Sequence, residues 1–299
     1  MRKDLDLLKK SIDVHVHVGP SVFPRLMDSI EAAEAAKAAG MRGLVLKHHH
    51  ISTMDRSYLA GKVVPDIEVY GGITLNYAAG GINPFAVDSA IKLGAKFVWM
   101  PTVDAHNHLV HFGELGKYGS KLDYKKPPLY ENAEGISIHK NDGAFDPNIG
   151  IILESIAEAD VALATSHLSI NESKVLVEEA LKRGVKKIVV THIGFVTAAL
   201  SIPDQKWMAK RGVLLELCYS SLSPAWRCIS IEKVVEAINE VGAEHYILSS
   251  DLGQVHNPPP PEGFRIYISL LLENGIGPDE LRIMTKENPE RILGLNELS

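Results

Sequence analysis

Residues 11–21 read SIDVHVHVGPS, and this stretch guides the interpretation of the rest of the chain. Its apolar residues alternate with Asp13, His15 and His17, and this period of two is typical of a β-strand that directs both imidazoles to one face. Gly19-Pro20 then ends the strand, so we expect the histidines at its carboxyl end. Two imidazoles so placed can bind one cation together, although an isolated His-x-His pair is equally compatible with a half-exposed strand of no special function.

The rest of the chain alternates between predicted strands and helices. The helices begin at capping residues such as Asp28 and end at glycines such as Gly40 and Gly94. The strand-like runs start mostly about 25–35 residues apart, as a βα unit repeated eight times would. We therefore predict an α/β fold, a single (β/α)8 TIM barrel over residues 1–299. An open doubly wound sheet is disfavoured, since no Gly-x-Gly-x-x-Gly follows the first strand. The predicted strands cover residues 12–18, 42–47, 68–75, 96–102, 161–165, 187–191, 213–217 and 246–250.

One interval, approximately residues 104–147, interrupts the repeat after the fourth strand. Within it, residues 136–145 (ISIHKNDGAF) predict a small hairpin that turns at Asn141-Asp142-Gly143. Because the insertion leaves the carboxyl end of the fourth strand, we expect it to form a lid over the barrel mouth. A surface or oligomer-contact insertion is the alternative. A second irregular stretch, residues 256–262, contains four prolines and predicts a rigid rim after the last strand.

The composition excludes several classes of protein. With 45% hydrophobic and 23% charged residues, the 299-residue chain has the balance of a globular protein with a large core. Its net charge of −6 argues against nucleic acid or an anionic membrane as a partner. Two cysteines and an N-terminus without an apolar run indicate a reducing compartment and no signal peptide. We expect a cytoplasmic protein with a small-molecule substrate that forms a homo-oligomer at most.

Polar residues stand at the ends of four of the predicted strands. The first strand carries His15 and His17, the fifth is followed by His167, the sixth by His192 and the eighth by Asp251. A parallel barrel brings the carboxyl ends of its strands to one face, so these five residues should converge although they are far apart in the sequence. Four neutral imidazoles and one carboxylate are suitable ligands for zinc or a similar divalent ion.

This order of residues resembles that of the amidohydrolase superfamily of metal-dependent hydrolases. The resemblance implies one or two divalent ions, with zinc first and manganese, iron or nickel as alternatives. It implies that His15 and His17 hold the more buried ion with Asp251, and that His167 and His192 hold a second one. With a single ion, His167 would be a ligand and His192 would contact the bound water or the substrate. The tail ENPERILGL is also similar to the closing helix of many members.

The sequence departs from the superfamily at the fourth strand. Two-metal members carry a lysine or glutamate there that bridges the ions, but this strand ends in Met100-Pro101-Thr102, and Lys96 lies at its opposite end. Asp104 or His106, just beyond the strand, could substitute. The departure leaves the number of ions open.

Four further residues are expected to contact the substrate. Lys47 ends the second strand, His49 is the inward member of the following histidine trio, and His106 belongs to a locally basic part of the insertion. Arg227 follows the seventh strand, and loops at that end of a barrel often contact substrate. Glu216, on the seventh strand, is expected to pair internally.

The expected chemistry is hydrolysis of an amide, lactone or ester of a small molecule. A divalent ion makes bound water acidic near neutral pH, and Asp251 and His192 are the predicted catalytic residues that move its proton and contact the reacting group. Three alternatives stay open: a phosphoesterase of the polymerase and histidinol phosphatase type, a decarboxylase with one zinc ion, and a barrel that binds a metal or ligand without turnover. The phosphoesterase is weakened because Asp251 is followed by Leu252-Gly253 and the closing Asp-x-His of that family is absent.

Overall fold

The computed structural model describes residues 2–118, 130, 133–140 and 143–295. In this part of the chain nine strands pair in parallel, in two sheets of the order β1-β2-β3 and β4-β5-β6-β7-β8-β9. The strands are β1 Ile12–His17, β2 Gly43–Lys47, β3 Glu68–Tyr70, β4 Gly72–Thr74, β5 Phe97–Trp99, β6 Ala162–Ala164, β7 Ile188–Val190, β8 Leu214–Cys218 and β9 Tyr246–Ser249.

Helices alternate with these strands. Asp28 and Ser169 each begin a helix with a capping box, in which a glutamate three residues further on bonds back to the cap. The helices in the described residues are α1 Lys3–Leu8, α2 Ser29–Ala38, α3 Met54–Val63, α4 Pro84–Lys92, α5 His106–Phe112, α6 Pro147–Ala159, α7 Ile170–Lys182, α8 Ile202–Ala209, α9 Ile231–Val241, α10 Pro260–Glu273, α11 Pro278–Arg282 and α12 Asn288–Leu293.

The third predicted strand is divided by Gly71 into β3 and β4. β3 pairs with β2, and β4 pairs with β5, so the two pieces occupy one position between neighbouring strands. A Cβ atom on Gly71 would approach the carbonyl oxygen of Thr53 to 2.9 Å and the Oγ atom of Ser57 to 2.8 Å. Glycine allows the chain to pass this close to the start of α3. The nine strands therefore fill the eight positions that the sequence predicts.

The end of β9 meets the first strand. The backbone N–H of Asp251 donates to the carbonyl oxygen of His15 at 2.9 Å, and that of His17 donates to the carbonyl oxygen of Leu252 at 2.8 Å. Gly253 is needed at this junction, because its φ of +129° suits glycine and a side chain would overlap the carbonyl oxygen of His17. The strand order is that of the TIM barrel, and the predicted fold class is confirmed.

Apolar side chains form two clusters on opposite faces of the strands. The larger cluster packs the strands against the helices. The smaller one, which we call the apolar floor, lies on the inner face; its members on the strands are Ile12, Val14, Val45, Phe97, Trp99, Ala162, Ala164, Val189, Leu214 and Ile247.

The first strand contains an irregularity that the alternation of its residues did not predict. Its register against β2 shifts between Asp13 and Val16, where β1 has one extra residue. Before this bulge Val14 belongs to the apolar floor, and after it Val16 and Val18 belong to the layer under the helices. A bulge redirects side chains in this way. Above the floor, the inner face of β1 therefore carries histidine.

The insertion after β5 is partly helical. It contains α5, which the sequence analysis did not predict, and two short bridges that pair Ala105 with Ile136 and His139 with Phe145. The predicted hairpin is thus present at its base, whereas its turn residues 141 and 142 lie outside the described part of the chain.

The proline-rich stretch after β9 is shorter than predicted. Helix α10 begins at Pro260, so the last residues of the expected rim belong to a helix. Proline is tolerated in the first turn of a helix, because the N–H groups there have no partner within the helix. None of the helices in the described residues is long and apolar enough to cross a membrane.

Candidate metal centre

Seven of the nine predicted site residues line one cavity at the carboxyl ends of the strands. They are His15, His17, Lys47, His49, His167, His192 and Asp251. The other two, His106 and Arg227, are exposed and do not line it. His106 bonds instead to the carbonyl oxygen of Glu134 at 2.9 Å.

Three residues that follow strand ends, at or next to the site residues, have positive φ angles. His192 has a φ of 33° and Asp251 a φ of 50°, and Ser166, which precedes His167, has 54°. Such angles are uncommon for residues other than glycine, and they turn the side chains from the strand direction towards the cavity.

Asp251 joins the two histidines of β1. Its Oδ1 atom accepts a hydrogen bond from His17 Nε2 at 3.0 Å and lies 3.2 Å from His15 Nε2. Its Oδ2 atom accepts from the hydroxyl group of Ser220 at 2.7 Å. We call His15, His17 and Asp251 the ligand cluster, because their nearest nitrogen and oxygen atoms lie within 4.8 Å of one another.

Glu216 fixes the orientation of His15. Its Oε1 atom accepts from His15 Nδ1–H at 3.0 Å and from the hydroxyl group of Ser249 at 2.8 Å, and its Oε2 atom accepts from the backbone N–H of His192 at 3.1 Å. Burial alone would raise the pKa of Glu216, but His15, His192 and Lys47 together lower it to about 2. The expected internal pairing of Glu216 is thus present. A carboxylate behind a ligating histidine is a common support of metal sites.

The ligand cluster fits a divalent cation. With its Nδ1–H bonded to Glu216, His15 turns Nε2 towards Asp251 Oδ1, 3.2 Å away, and towards Lys47 Nζ, 3.1 Å away. Two acceptors at this distance need a cation or a donor beside them; the Lys47 ammonium group supplies one, and a divalent cation would take the same role. The buried Nδ1 atoms of His17 and His192 have no hydrogen-bond partner among the described residues. A second group, His15 with Glu216 and Cys218, is less suitable, because donors already occupy Glu216 and burial raises the pKa of the Cys218 thiol.

Lys47 lies inside this centre. Its Nζ atom donates to His15 Nε2 at 3.1 Å, and the residue is 1% exposed. Burial lowers the pKa of Lys47. Its Nζ atom lies 5.6 Å from the centre of the ring of Trp99, a member of the apolar floor. Lys47 is therefore in contact with the ligand cluster itself.

His167 and His192 stand beside the ligand cluster. Their ring centres are 4.9 Å apart, and that of His192 is 6.0 Å from His15. Burial lowers the pKa of His192 to about 4 and that of His167 well below its usual value, so both imidazoles are neutral near pH 7. Neither belongs to a group of three ligand atoms among the described residues. The five predicted metal ligands thus divide into a compact group of three and a neighbouring pair.

The insertion reaches the site through His108. This residue is fully buried, stacks on His167 and lies with its Nδ1 atom 3.0 Å from His167 Nδ1. Its Nε2 atom is 2.5 Å from the carbonyl oxygen of Lys117, which can only accept. Burial lowers the pKa of His108 to about 4, so its single proton is on Nε2 and His167 must donate from Nδ1. The Nε2 lone pair of His167 is therefore free to bind a ligand.

The histidine trio places one member in the cavity, as predicted. His49 stacks on His17 with ring centres 4.8 Å apart, and its Nδ1 atom bonds to the Thr102 hydroxyl at 2.9 Å. His48 and His50 are buried, and His48 Nδ1 accepts from the backbone N–H of His50. Thr102 is the last residue of the fourth predicted strand and also bonds to Asn76, so it holds His49 in place.

The two candidates for a substitute bridging ligand lie outside the cavity. Asp104 accepts from the backbone N–H of Tyr77 at 2.8 Å, and burial raises the pKa of its carboxyl group to about 6. His106 is on the surface of α5. Lys96 points to the opposite end of the barrel, where it donates to the carbonyl oxygen of Leu293 at 3.2 Å. Among the described residues, the fourth strand position therefore provides no bridge between two ions.

The sequence analysis missed the side of the cavity that faces the ligand cluster. Arg25 lines it, together with an aromatic wall formed by Phe23, Tyr118, Phe195 and Trp226. Phe23 and Arg25 follow β1, at the carboxyl end of a barrel strand, and this position was the signal that could have identified them. The loop after the seventh predicted strand therefore does line the cavity, but through Trp226 and not through its neighbour Arg227.

Comparisons with known proteins agree with this fold. Residues 10–216 match the model of a family described as a family of unknown function, DUF6282. No curated protein matches the chain significantly. In structure the chain is similar to an amidohydrolase from Pseudomonas aeruginosa (13% identity, 97% of each chain, TM-score 0.63) and to the probable dipeptidase PvdM of that organism (14%, 98% of each chain, 0.61). It is also similar to 2,6-dihydroxybenzoate decarboxylase from Rhizobium (10%, 96% of this chain and 99% of that one, 0.55).

Proposed function

This chain belongs to the DUF6282 family and has the fold of the amidohydrolase superfamily, and on this basis we propose that it is a metal-dependent hydrolase. Its substrate would be an amide, lactone or ester of a small molecule. The structural neighbours include hydrolases and a decarboxylase, which supports an enzyme. The single observation that carries the proposal is the ligand cluster, where two imidazoles and a carboxylate with fixed orientations converge at the carboxyl ends of the strands.

We assign one divalent ion, zinc in the first place, to this centre. His15, His17 and Asp251 would hold it, and His167 would be the further ligand, because its Nε2 lone pair is left free by the bond to His108. When bound, such an ion supplies an acidic water molecule and polarises the bond under attack.

The residues of the chain then have distinct tasks. Asp251, held by Ser220 through Oδ2, accepts a proton at Oδ1 and passes it to the leaving group. His192 is buried and neutral, and its Nδ1 atom has no partner in the part of the chain that the structure describes, so it can bond to the reacting group of the substrate. Lys47 and His49 line the cavity next to the ligand cluster and would contact substrate there.

A decarboxylase with one ion is the second candidate. It is favoured by the absence, among the described residues, of a bridging group at the fourth strand position, because Thr102 there is engaged by His49 and Asn76. One ion with an open coordination position suffices to polarise a carboxylic acid substrate. The two reactions differ in product, since a decarboxylase releases carbon dioxide and consumes no water.

The proposal is tested by metal analysis combined with activity screening. We expect about one divalent ion per chain by plasma mass spectrometry, and activity on a panel of aryl amides, lactones and esters that a chelator abolishes and zinc restores. Asp251→Asn should lower kcat/KM about 10³-fold, since general acid–base groups contribute about 10²- to 10⁴-fold. Asp279→Asn, in the first turn of α11 with a side chain that is 95% exposed, is the matched control and should leave kcat/KM unchanged. Activity that resists both chelation and Asp251→Asn would overturn the proposal, and release of carbon dioxide from aryl carboxylic acids tested beside the panel would select the decarboxylase.

A further inference from the structure

Arg25 is held in place at the mouth of the cavity by its backbone. Its residue pairs in an antiparallel bridge with Gln254, and the next residue, Leu26, donates its N–H to the carbonyl oxygen of Gly253 at 2.8 Å. The segment that follows β1 is thus tied to the segment that follows β9, close to Asp251. These two backbone contacts fix the position of Arg25 near the ligand cluster.

The guanidinium group of Arg25 forms no salt bridge with a carboxylate of the described residues, and its buried Nε atom makes no hydrogen bond there. Asp251 and Tyr118 act on it electrostatically and raise its pKa, but burial outweighs them. Burial lowers the pKa of Arg25 to about 10, which leaves it cationic at neutral pH. A half-buried cation that forms no salt bridge can bind an incoming anion, and guanidinium has a geometry that suits a carboxylate with two parallel hydrogen bonds.

The other charged groups of the cavity are already engaged. Asp251 accepts from His17 and Ser220 and lies against His15, and the Lys47 ammonium group donates to His15. Lys47 is also almost fully buried, whereas Arg25 is partly exposed at the mouth. Arg25 is therefore the lining cation that an incoming anion reaches first.

The aromatic wall stands beside Arg25. Phe23 is 5.7 Å from Tyr118, and Trp226 is 5.3 Å from both Tyr118 and Phe195, measured between ring centres. The Arg25 guanidinium carbon lies 5.8 Å from the centre of the Phe23 ring. Aromatic side chains at such distances form a continuous apolar surface on which a flat group packs well.

We propose that the substrate is a small carboxylate with a planar, apolar body. Arg25 binds the carboxylate, the aromatic wall packs against the body, and the bond to be broken lies over the ligand cluster. This substrate class rests on the proposed function, whereas the binding of an aromatic carboxylate by Arg25 can be measured without turnover.

The test uses benzoate, phenylacetate and cinnamate as probes, each compared with its primary amide. The amides have nearly the same shape and no charge. Binding is followed by calorimetry and by tryptophan fluorescence, to which Trp226 in the cavity wall contributes, with the full chain both as loaded with zinc and after chelation. We expect at least one acid to bind at least tenfold more tightly than its amide in both preparations.

Arg25→Gln should reduce affinity for the acid about 10- to 100-fold and leave affinity for the amide unchanged, which is the effect of losing a charge-assisted hydrogen bond. Arg25→Lys keeps the charge and should lie in between. Arg56→Gln is the matched control, because Arg56 is at the same end of the barrel, 3.5 Å from the carbonyl oxygen of Val18, but does not line the cavity. Circular dichroism melting curves verify that each variant is folded.

The outcomes separate the two proposals. If none of the acids binds, or if folded Arg25→Gln binds them as the parent does, the assignment of Arg25 is wrong. Binding that requires zinc and ignores Arg25 would place the carboxylate on the metal, which overturns the assignment and leaves the proposed hydrolase standing. If the protein takes up no zinc when zinc is supplied but still binds the acids through Arg25, the assignment stands and the proposed hydrolase is overturned.

Discussion

The inner face of the strands has two contrasting levels. The apolar floor consists of tightly buried side chains such as Val14 and Phe97, whereas the level above it consists of imidazoles and carboxylates. β1 contributes to both, with Ile12 and Val14 below the bulge and His15 and His17 above it. Within one six-residue strand, the sequence changes from residues that stabilise the barrel to residues that can hold a cation.

The difference between the levels shows what each requires of the protein. The floor needs only volume and apolar surface, and its backbone is regular. The upper level needs side chains with fixed orientations. The left-handed backbone at His192 and Asp251 and the carboxylate of Glu216, which bonds to His15, provide them. Burial lowers the pKa of His17 and of His192, so this level is held together under a narrower range of conditions than the floor.

The largest expected effect on folding comes from the floor. Phe97 is 1% exposed and stacks on Trp99 with ring centres 4.9 Å apart. Phe97→Ala should lower the free energy of unfolding by about 3–5 kcal/mol, because it removes a buried ring and leaves a cavity. Urea denaturation measures this change. Phe85→Ala is the matched control, since Phe85 is 86% exposed, and should cost little.

Phe97→Ala also tests the separation of the two levels. If they are independent, the folded variant retains the metal content of the parent. Loss of metal from a folded Phe97→Ala protein would show that the floor determines the geometry of the ligand cluster, and the comparison would then fail.

The next largest effect is a decrease in the free energy of unfolding at acidic pH, which should come from the histidines of the upper level. Burial lowers the pKa of His192 to about 4, from 6.5 in the unfolded chain. As the pH falls below 6.5, His192 becomes protonated in the unfolded chain but stays neutral in the folded protein. The stability that is present above pH 6.5 is therefore lost progressively until the pH reaches about 4. By pH 5 this costs about 2 kcal/mol for His192 alone. Urea denaturation of the metal-free protein at pH 7 and pH 5 measures it.

His192→Asn provides the comparison for this pH effect. The variant lacks the titrating ring, so its loss of stability between pH 7 and pH 5 should be about 2 kcal/mol smaller than that of the parent. An unchanged pH dependence in the variant would mean that His192 titrates normally in the folded protein.

The smallest of these effects concerns the support of His15. Glu216→Gln must place an NH2 group against either His15 and Ser249 or the backbone N–H of His192, and it removes the negative charge behind the ligand. Affinity for zinc should fall about tenfold, the lower end of the effect of such supporting groups. Competition with a fluorescent chelator measures it. Glu178→Gln, on the exposed face of α7, is the matched control, and equal affinities for the two variants would contradict the role of Glu216.

The sequence predicted the fold well, because the predicted strands and most helices have short-range signals. Capping at Asp28 and the alternation around His15 and His17 are local features, and both are present in the structure. The bulge in β1 was not predictable, since it depends on how β1 pairs with β2. The division of the third strand at Gly71 depends likewise on a tertiary contact with Thr53.

The structure brings together the predicted site residues that lie at strand ends, because topology alone brings those ends together. Sequence reasoning did not place the loop residues correctly relative to the cavity. His106 and Arg227 are exposed, whereas Arg25 and His108 reach the cavity through the paths of a loop and an insertion. The conformation of such segments depends on contacts that a single sequence does not reveal.

The central claim is that a divalent ion binds to His15, His17 and Asp251. The most direct test is a crystal structure of the zinc-loaded protein with anomalous diffraction data on both sides of the zinc absorption edge. The account predicts one anomalous peak at about 2.0–2.2 Å from His15 Nε2, His17 Nε2 and an oxygen of Asp251. A peak elsewhere, or an empty ligand cluster in crystals that contain zinc, would contradict it.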